Sequence, residues 1–559
     1  MSWHPGTTTR TPTFPNDLHG SNKRVDFMSE LPLDVVMYNI VPRILSERPR
    51  QFRLDIPNHY LNVCRTWCQR ILMASWSMRC YIESLKSISK LQERLLDAAG
   101  PYVRRLGIGA ISDTSINQLA DTVKFSYLSE LTISITGSQR AYHLFFSTLP
   151  NLTYLRITIV RLLDGPFEVY AILDQCTKLT RLDLTLGANT TMAISSDNQN
   201  PVYHNLVHLQ AICDEKGKCD MFIPLLRHLP NLRRLQLPYP PTSETAIQAI
   251  HQHCPELQQL ILSQSHAGAG MFTDIVQQLQ GLRLLRIHHS TSFEGDYLAK
   301  LITQYHNTLE SIVFHVHSGN PVSSFNEDRD QDAFELKQLR SFEYECGHPL
   351  DSTPFIGWVI NHAPNLESVK LLAPRTEYTH NLRTLMHRSL RRIELASKQV
   401  FHQPDHSQYL QHHIQLGNES HLKEIKCYIS PYIRNDSWMY LIPRLNYLRS
   451  LELDFQFDTQ VHDGSPFMME LSRGCAALET ITIISKRFSS HAWIHPLTLH
   501  RNLKKLVIHG SRLSNDMLIA LEDFHHLDCL HLKLYTFQWN SIARTRRAVP
   551  HLKCTQLPE

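Results

Sequence analysis

Apolar positions along this chain recur in one phrase, Leu-x-x-Leu-x-Leu, with Ile, Val or Phe as substitutes. Leu152, Leu155 and Ile157 form one copy, and Leu179, Leu182 and Leu184 the next. Leu232, Leu235 and Leu237 follow, then Leu257, Leu260 and Leu262, and the phrase returns as late as Leu527, Leu530 and Leu532. First leucines fall about 24–32 residues apart, a period that signals a stacked repeat array. Inside each phrase polar residues alternate with apolar ones, which predicts a short strand with one buried face.

The first position can be followed through Val103, Leu128, Leu152, Leu179, Leu206, Leu232, Leu257, Leu282 and Leu309. It continues through Leu339, Leu366, Leu390, Leu422, Leu448, Leu478, Leu503 and Leu527, about 17 repeats in all. Leu552 reads as the first position of a degenerate cap. The remaining ~18–20 residues of each repeat return on the outside with a helical pattern, as in Ala246, Ile247, Ala249 and Ile250. Proline often closes that stretch, as at Pro150, Pro230, Pro255 and Pro364, because it lacks a backbone donor and disfavours helix in the residue before it. The expected fold is therefore an α/β solenoid over 101–559, with a parallel concave sheet and a helical convex side. Three repeats carry insertions, at Gly187 to His204, Ser318 to Gln331 and Ser397 to Ser420, which read as protruding loops.

The chain before the array divides into a polar arm (1–28), a helical unit (29–75) and a helical linker (76–100). In the helical unit, Leu31-Pro32-Leu33-Asp34 opens an amphipathic segment in which Val36 and Ile40 share a face. Downstream, Val63-Cys64-Arg65-Thr66-Trp67 aligns Val63 and Trp67 along one helical stripe. These two motifs, in this order and directly ahead of a repeat array, resemble the F-box, a small all-α unit. The repeats themselves resemble leucine-rich repeats. Cys176, Cys254 and Cys475, each three residues before a first leucine, resemble the cysteine-containing subclass. The resemblance implies a substrate-recognition subunit of an SCF-type cullin-RING ubiquitin ligase. Leu31, Pro32, Val36, Ile40, Val63, Cys64 and Trp67 would then hold the adaptor subunit that links to the cullin. A repeat scaffold or enzyme regulator without a ligase role is the alternative reading.

The intervening strand residues point onto the concave face, where a protein substrate would bind. They include Arg156, Arg181, Arg234 and Arg286 in the earlier repeats, and Glu343, Glu345, Glu394, Glu452 and Asp454 in the later ones, with Lys370, Arg392 and Lys426 as exceptions. The strip thus reads as basic early and acidic late. Arg234 is expected to tolerate truncation, since outward positions pack loosely.

Composition narrows the chemistry. With 42% hydrophobic and 19% charged residues the chain is globular in character. A net charge of +4, from 56 basic and 52 acidic residues, does not supply the concentrated basic face that a nucleic-acid partner needs. No apolar stretch reaches the ~20 residues of a membrane span. The 12 cysteines are scattered, without Cys-x-x-Cys, which fits reduced thiols in cytosol or nucleus. The 33 histidines show none of the zinc-ligand spacings, and no phosphate loop or nucleophile elbow is present. No catalytic centre, metal or cofactor is expected.

Overall fold

The computed structural model describes Leu31, Val35, 80–82, 103–122, 125–187, 190–193, 201–213, 221–238, 244–263, 281–289, 293–316, 322–323, 334–346, 353–372, 385–386, 389–396, 406–429, 437–455, 465–485, 494–510, Leu513, 515–524, 526–534, Thr545, Arg547, Val549 and 551–556. Among these residues nineteen strands form one sheet, and every pairing in it is parallel between strands that follow each other along the array. The alternating phrase thus becomes one rung of a leucine-rich-repeat solenoid, and the second leucine of each rung faces the second leucine of the next. Leu131 pairs with Leu155, Leu155 with Leu182 and Leu182 with Leu209. Far down the array Leu451 pairs with Ile481, Ile481 with Leu506 and Leu506 with Leu530.

Burial confirms the inward set. Every first position from Val103 to Leu527 is at most 3% exposed, which requires all of them to share one interior. Helices close that interior from the other side. Gln139–Ser147 is capped by the Ser138 side chain, which accepts a bond from the Arg140 amide, and it buries Tyr142, Phe145 and Phe146. Glu244–His253, Gly295–Gln304, Thr353–His362 and Ser465–Arg473 occupy the same place in later rungs. Two rungs use shorter 3-10 turns instead, Ser437–Arg444 and His495–Leu499. Ser437–Arg444 carries Pro443 in its interior, which limits a regular α-helix.

A side-chain ladder stitches neighbouring rungs. The asparagine just before the first leucine donates its amide to a carbonyl of the preceding rung: Asn151 to Ser126 (2.7 Å), Asn231 to His204 (2.9 Å), Asn365 to Lys337 (2.9 Å) and Asn502 to Ala476 (2.6 Å). The cysteines lie inside. Cys176, Cys254 and Cys475 are buried, and burial pushes each thiol up to about 12, so they pack as small apolar groups.

The structure corrects four expectations. Within the supposed helical linker, Cys80–Ile82 is a strand that pairs with Arg105–Ala110, so the array begins a rung earlier. Leu552 pairs with Leu530, a second position, so the final rung begins at the buried Val549. The segment Ser397 to Ser420 contains the helix Ser407–Leu416, which buries Tyr409, Leu410 and His413. It is a rung's returning helix whose buried histidine hid its apolar face. The other two insertions each contribute a two-residue strand to a small second ladder: Met192–Ala193 with Phe167–Glu168, and Val322–Ser323 with Phe293–Glu294.

One backbone site is tight. Cys475 adopts a left-handed φ of 36°, and its amide donates to the Pro443 carbonyl at 2.8 Å. A Cβ added to the neighbouring Gly474 would overlap that same carbonyl. Gly474→Ala is therefore expected to destabilise by ~1–3 kcal/mol through overpacking. Leu451→Ala, which opens a cavity in the inward lane, is expected to cost ~2–5 kcal/mol. Thermal and denaturant melts compare both with exposed Arg501→Ala, and equal losses from all three would reject the register.

Candidate functional site

Strand alternation leaves three lanes on the sheet face away from the leucines. The middle lane is the residue between second and third leucines. It runs Arg156, Asp183, Gln210, Gln236, Ile261 and Arg286, then Val313, Glu343, Lys370, Glu394, Lys426 and Glu452. All nine residues expected on this face occur in its lanes, each held at a fixed height by its rung.

The early part is organised around one buried acid. Asp183 is 1% exposed and accepts hydrogen bonds from the Tyr154 hydroxyl (2.7 Å), Arg156 (3.0 Å) and Arg181 (3.0 Å). Burial alone would raise its pKa. The hydrogen bond and charge of Arg181, with the Tyr154 hydroxyl, outweigh burial and hold the carboxyl below its ordinary value. Tyr154 is pushed up to about 12 by burial and then by the Asp183 charge. The Arg181 guanidinium also lies 4.5 Å from the centre of the Tyr154 ring. Arg156 and Arg181 are thus already committed to this centre.

Arg181, His208 and Arg234 are successive neighbours in the adjacent lane. Arg234 is 3% exposed, which overturns its expected tolerance to truncation. Burial first, then the charges of Arg181 and Arg286, bring its guanidinium down to about 10. His208 is also buried. Burial and then the two arginines lower it to about 3, so it is neutral at physiological pH. Arg286 is half-buried, and its Nε is enclosed without a hydrogen-bond acceptor among the described residues.

The later part is a lattice of alternating charge, in which the cations expected as exceptions in an acidic strip, Lys370 and Lys426, are regular members. The five consecutive middle-lane residues Glu343, Lys370, Glu394, Lys426 and Glu452 alternate in sign. Lys370 reaches Glu345 at 2.8 Å, and Lys426 reaches Glu452 at 2.7 Å and Asp454 at 3.9 Å. His315 meets Glu343 at 3.2 Å. Burial opposes ionisation of Glu343, but the His315 hydrogen bond and the Lys370 charge prevail and lower its pKa. Glu394 is only 9% exposed and accepts from the Tyr428 hydroxyl (2.7 Å) and Arg392 (2.9 Å). Asp454 is raised by burial in spite of Lys426, because Glu452 and Glu394 stand nearby. His315 and Tyr428 escaped the sequence reading. The signal lay one residue past the third apolar position, where every rung contributes a third lane.

Of the residues expected to hold an adaptor, Leu31 is half-buried. Pro32, Val36, Ile40, Val63, Cys64 and Trp67 lie outside the described residues. No group of three metal-ligating side chains occurs among the described residues, and no helix among them is long and apolar enough to cross a membrane.

No family model matches the chain, and no curated protein matches it. Among solved structures, the chain is similar to the leucine-rich repeat domain of APL1B, at 13% identity and a TM-score of 0.18. That match covers 85% of this chain and 92% of that one. The assignment to leucine-rich-repeat solenoids rests on the pairing register and the buried leucine lanes.

Replacing Asp183 by Asn is expected to cost roughly 3–5 kcal/mol, since it strips the counter-charge from two arginines on a buried site. Because the folded pKa of Asp183 is depressed, its contribution is present above the ordinary carboxylate value and is lost as pH falls through the folded value. Denaturant melts of wild type and Asp183→Asn from neutral to strongly acidic pH should therefore converge at the acid end. A gap independent of pH would remove the ionic role.

Proposed function

We propose that the protein is the substrate-recognition subunit of an SCF-type cullin-RING ubiquitin ligase. In this reading the N-terminal unit holds the adaptor and cullin, and the sheet face of the solenoid holds a target protein in the cytosol or nucleus. The observation that carries the recognition half is the constant register of the rungs. It fixes three polar lanes on a rigid support, which is what selective binding of a protein surface demands. The ligase half is supported by the motif residues Leu31, Pro32, Val63, Cys64 and Trp67 ahead of the array. The chain itself performs no chemistry. It raises the rate of ubiquitin transfer by holding an acceptor lysine near the loaded conjugating enzyme.

On this face a partner must bind by displacing internal ion pairs or by fitting between them, so shape and pairing geometry outweigh net charge. Arg286 in the middle lane and the Glu343–His315 pair beside it lie where the sign of the face changes.

Affinity purification tests the reading. Wild type is expected to recover adaptor and cullin, and Leu31→Ala with Pro32→Ala is expected to lose both, with an unchanged thermal melt. Unchanged melting follows from the nearest-neighbour stability of repeat arrays. Recovery of partners without adaptor from wild-type chain would leave a binding scaffold as the function. Equal adaptor recovery by the double variant would remove the F-box assignment.

A further inference from the structure

A fourth lane runs along the rim where the strands begin, at the residue immediately after each first leucine. Its members are direct neighbours. The amide of Glu310 donates to the carbonyl of Arg283, that of Arg340 to Glu310, and that of Glu367 to Arg340, at 2.8–2.9 Å. The same bonds carry the lane on through Arg391, Lys423, Arg449, Glu479 and Lys504.

Charge alternates along this lane wherever it is paired. Arg283 bridges Glu310, Arg340 bridges Glu367, and Lys504 bridges Glu479 at 3.2 Å. The alternation breaks once, at Arg391, Lys423 and Arg449, three cations on successive rungs. Like charges about one strand spacing apart repel, so this run has no structural benefit of its own. Arg391 finds a carboxylate in Glu424, at 3.1 Å. Lys423 donates to the Ser420 carbonyl at 3.0 Å and lies 5.4 Å from the Tyr447 ring. Arg449 is exposed and meets no carboxylate within ion-pair distance among the described residues. Burial, then Arg449, draws the Lys423 ammonium below its ordinary pKa. Over these residues opens a groove of about 750 Å³, lined by the cations Arg391, Lys423 and Arg449 and by the acids Glu367, Glu424 and Glu479.

We propose that this groove seats an extended segment of a protein partner whose centre is acidic and whose ends are basic. The two cations without carboxylate partners, Lys423 and Arg449, meet the acidic centre. Glu367 and Glu479, at the two ends of the run, are each bridged through one oxygen, to Arg340 and Lys504, and meet the basic ends with the other. From Glu367 to Glu479 are four rung steps, about 19 Å at ~4.8 Å each, the reach of about six extended residues. A uniformly acidic tract or a nucleic-acid backbone would bring negative charge against both end glutamates. The rim site adjoins the first lane of the sheet face through Glu424, Ser450 and Thr480, and it does not depend on a ligase role.

Fluorescence anisotropy on the full chain at low salt tests it with three labelled hexapeptides. One has lysine at both ends and two glutamates at its centre, one is its charge inverse, and one is all glutamate. The first is expected to bind about tenfold more tightly than either of the others. Lys423→Glu with Arg449→Glu should abolish that preference while the thermal melt stays unchanged. Should the double variant melt early, Arg449→Ala is expected to reduce the preference by about threefold. Absence of binding by all three, equal binding, tighter binding of the all-glutamate peptide, or a preference that survives both variants would overturn the proposal. Adaptor recovery is read separately, so loss of either result leaves the other standing.

Discussion

Each strand in this chain depends on the backbone bonds it makes to the strand before it. In a parallel sheet one residue per rung, the one after the first leucine, begins the ladder by donating its amide to its counterpart in the preceding rung. Because a shift of one residue would turn every leucine outward, the apolar lanes and the hydrogen bonds enforce the same register. That shared constraint explains how rungs of unequal length stay in register, the described pairings slipping by one residue only at Ile108/Ala110 and Ile135/Thr136. Val369 to Ile393 spans 24 residues and Ile393 to Ile425 spans 32, yet both steps keep the same partners across the sheet. The difference is absorbed on the returning side.

Register also decides what the polar lanes do. Residues far apart in sequence are placed one strand apart, and their charges must then be reconciled. On the later sheet face this is done by alternation, Glu343 to Glu452, and in the early part by gathering two arginines and a tyrosine onto Asp183. A surface so arranged spends its charge internally. It offers geometry to a partner more than field, and places where pairing fails stand out against it.

The array was legible in the sequence because its signal is repeated and strictly periodic. Leu235 and Leu451 could be placed inside from spacing alone, and both are fully buried. The side chains between them were legible as to face but not as to environment. Arg234 and Glu394 share the parity of exposed residues, yet neighbours from adjacent rungs cover them. Parity says which way a side chain leaves the strand, and nothing about what arrives from the next rung. Reading the lanes down the array, instead of along the chain, would have shown that Lys370 and Lys426 are members of an alternating series. Ends were harder. Among the described residues Cys80–Ile82 and Leu552–Gln556 have a neighbouring strand on one side only, and they carry weaker leucine signatures, so periodicity fades where they lie.

The direction of the inter-rung bonds has a mechanical meaning. They run along the array, perpendicular to the strands, so tension between its two ends pulls on one ladder at a time. Such bonds open like a zipper, in sequence, and do not share the load as they would in shear. Each rung that lets go would free about 25 residues of chain. Compression and bending, by contrast, act on a continuous core of leucines packed at crystal-like density. The molecule is thus stiff to a partner pressing on its face and extensible to a force applied at its ends.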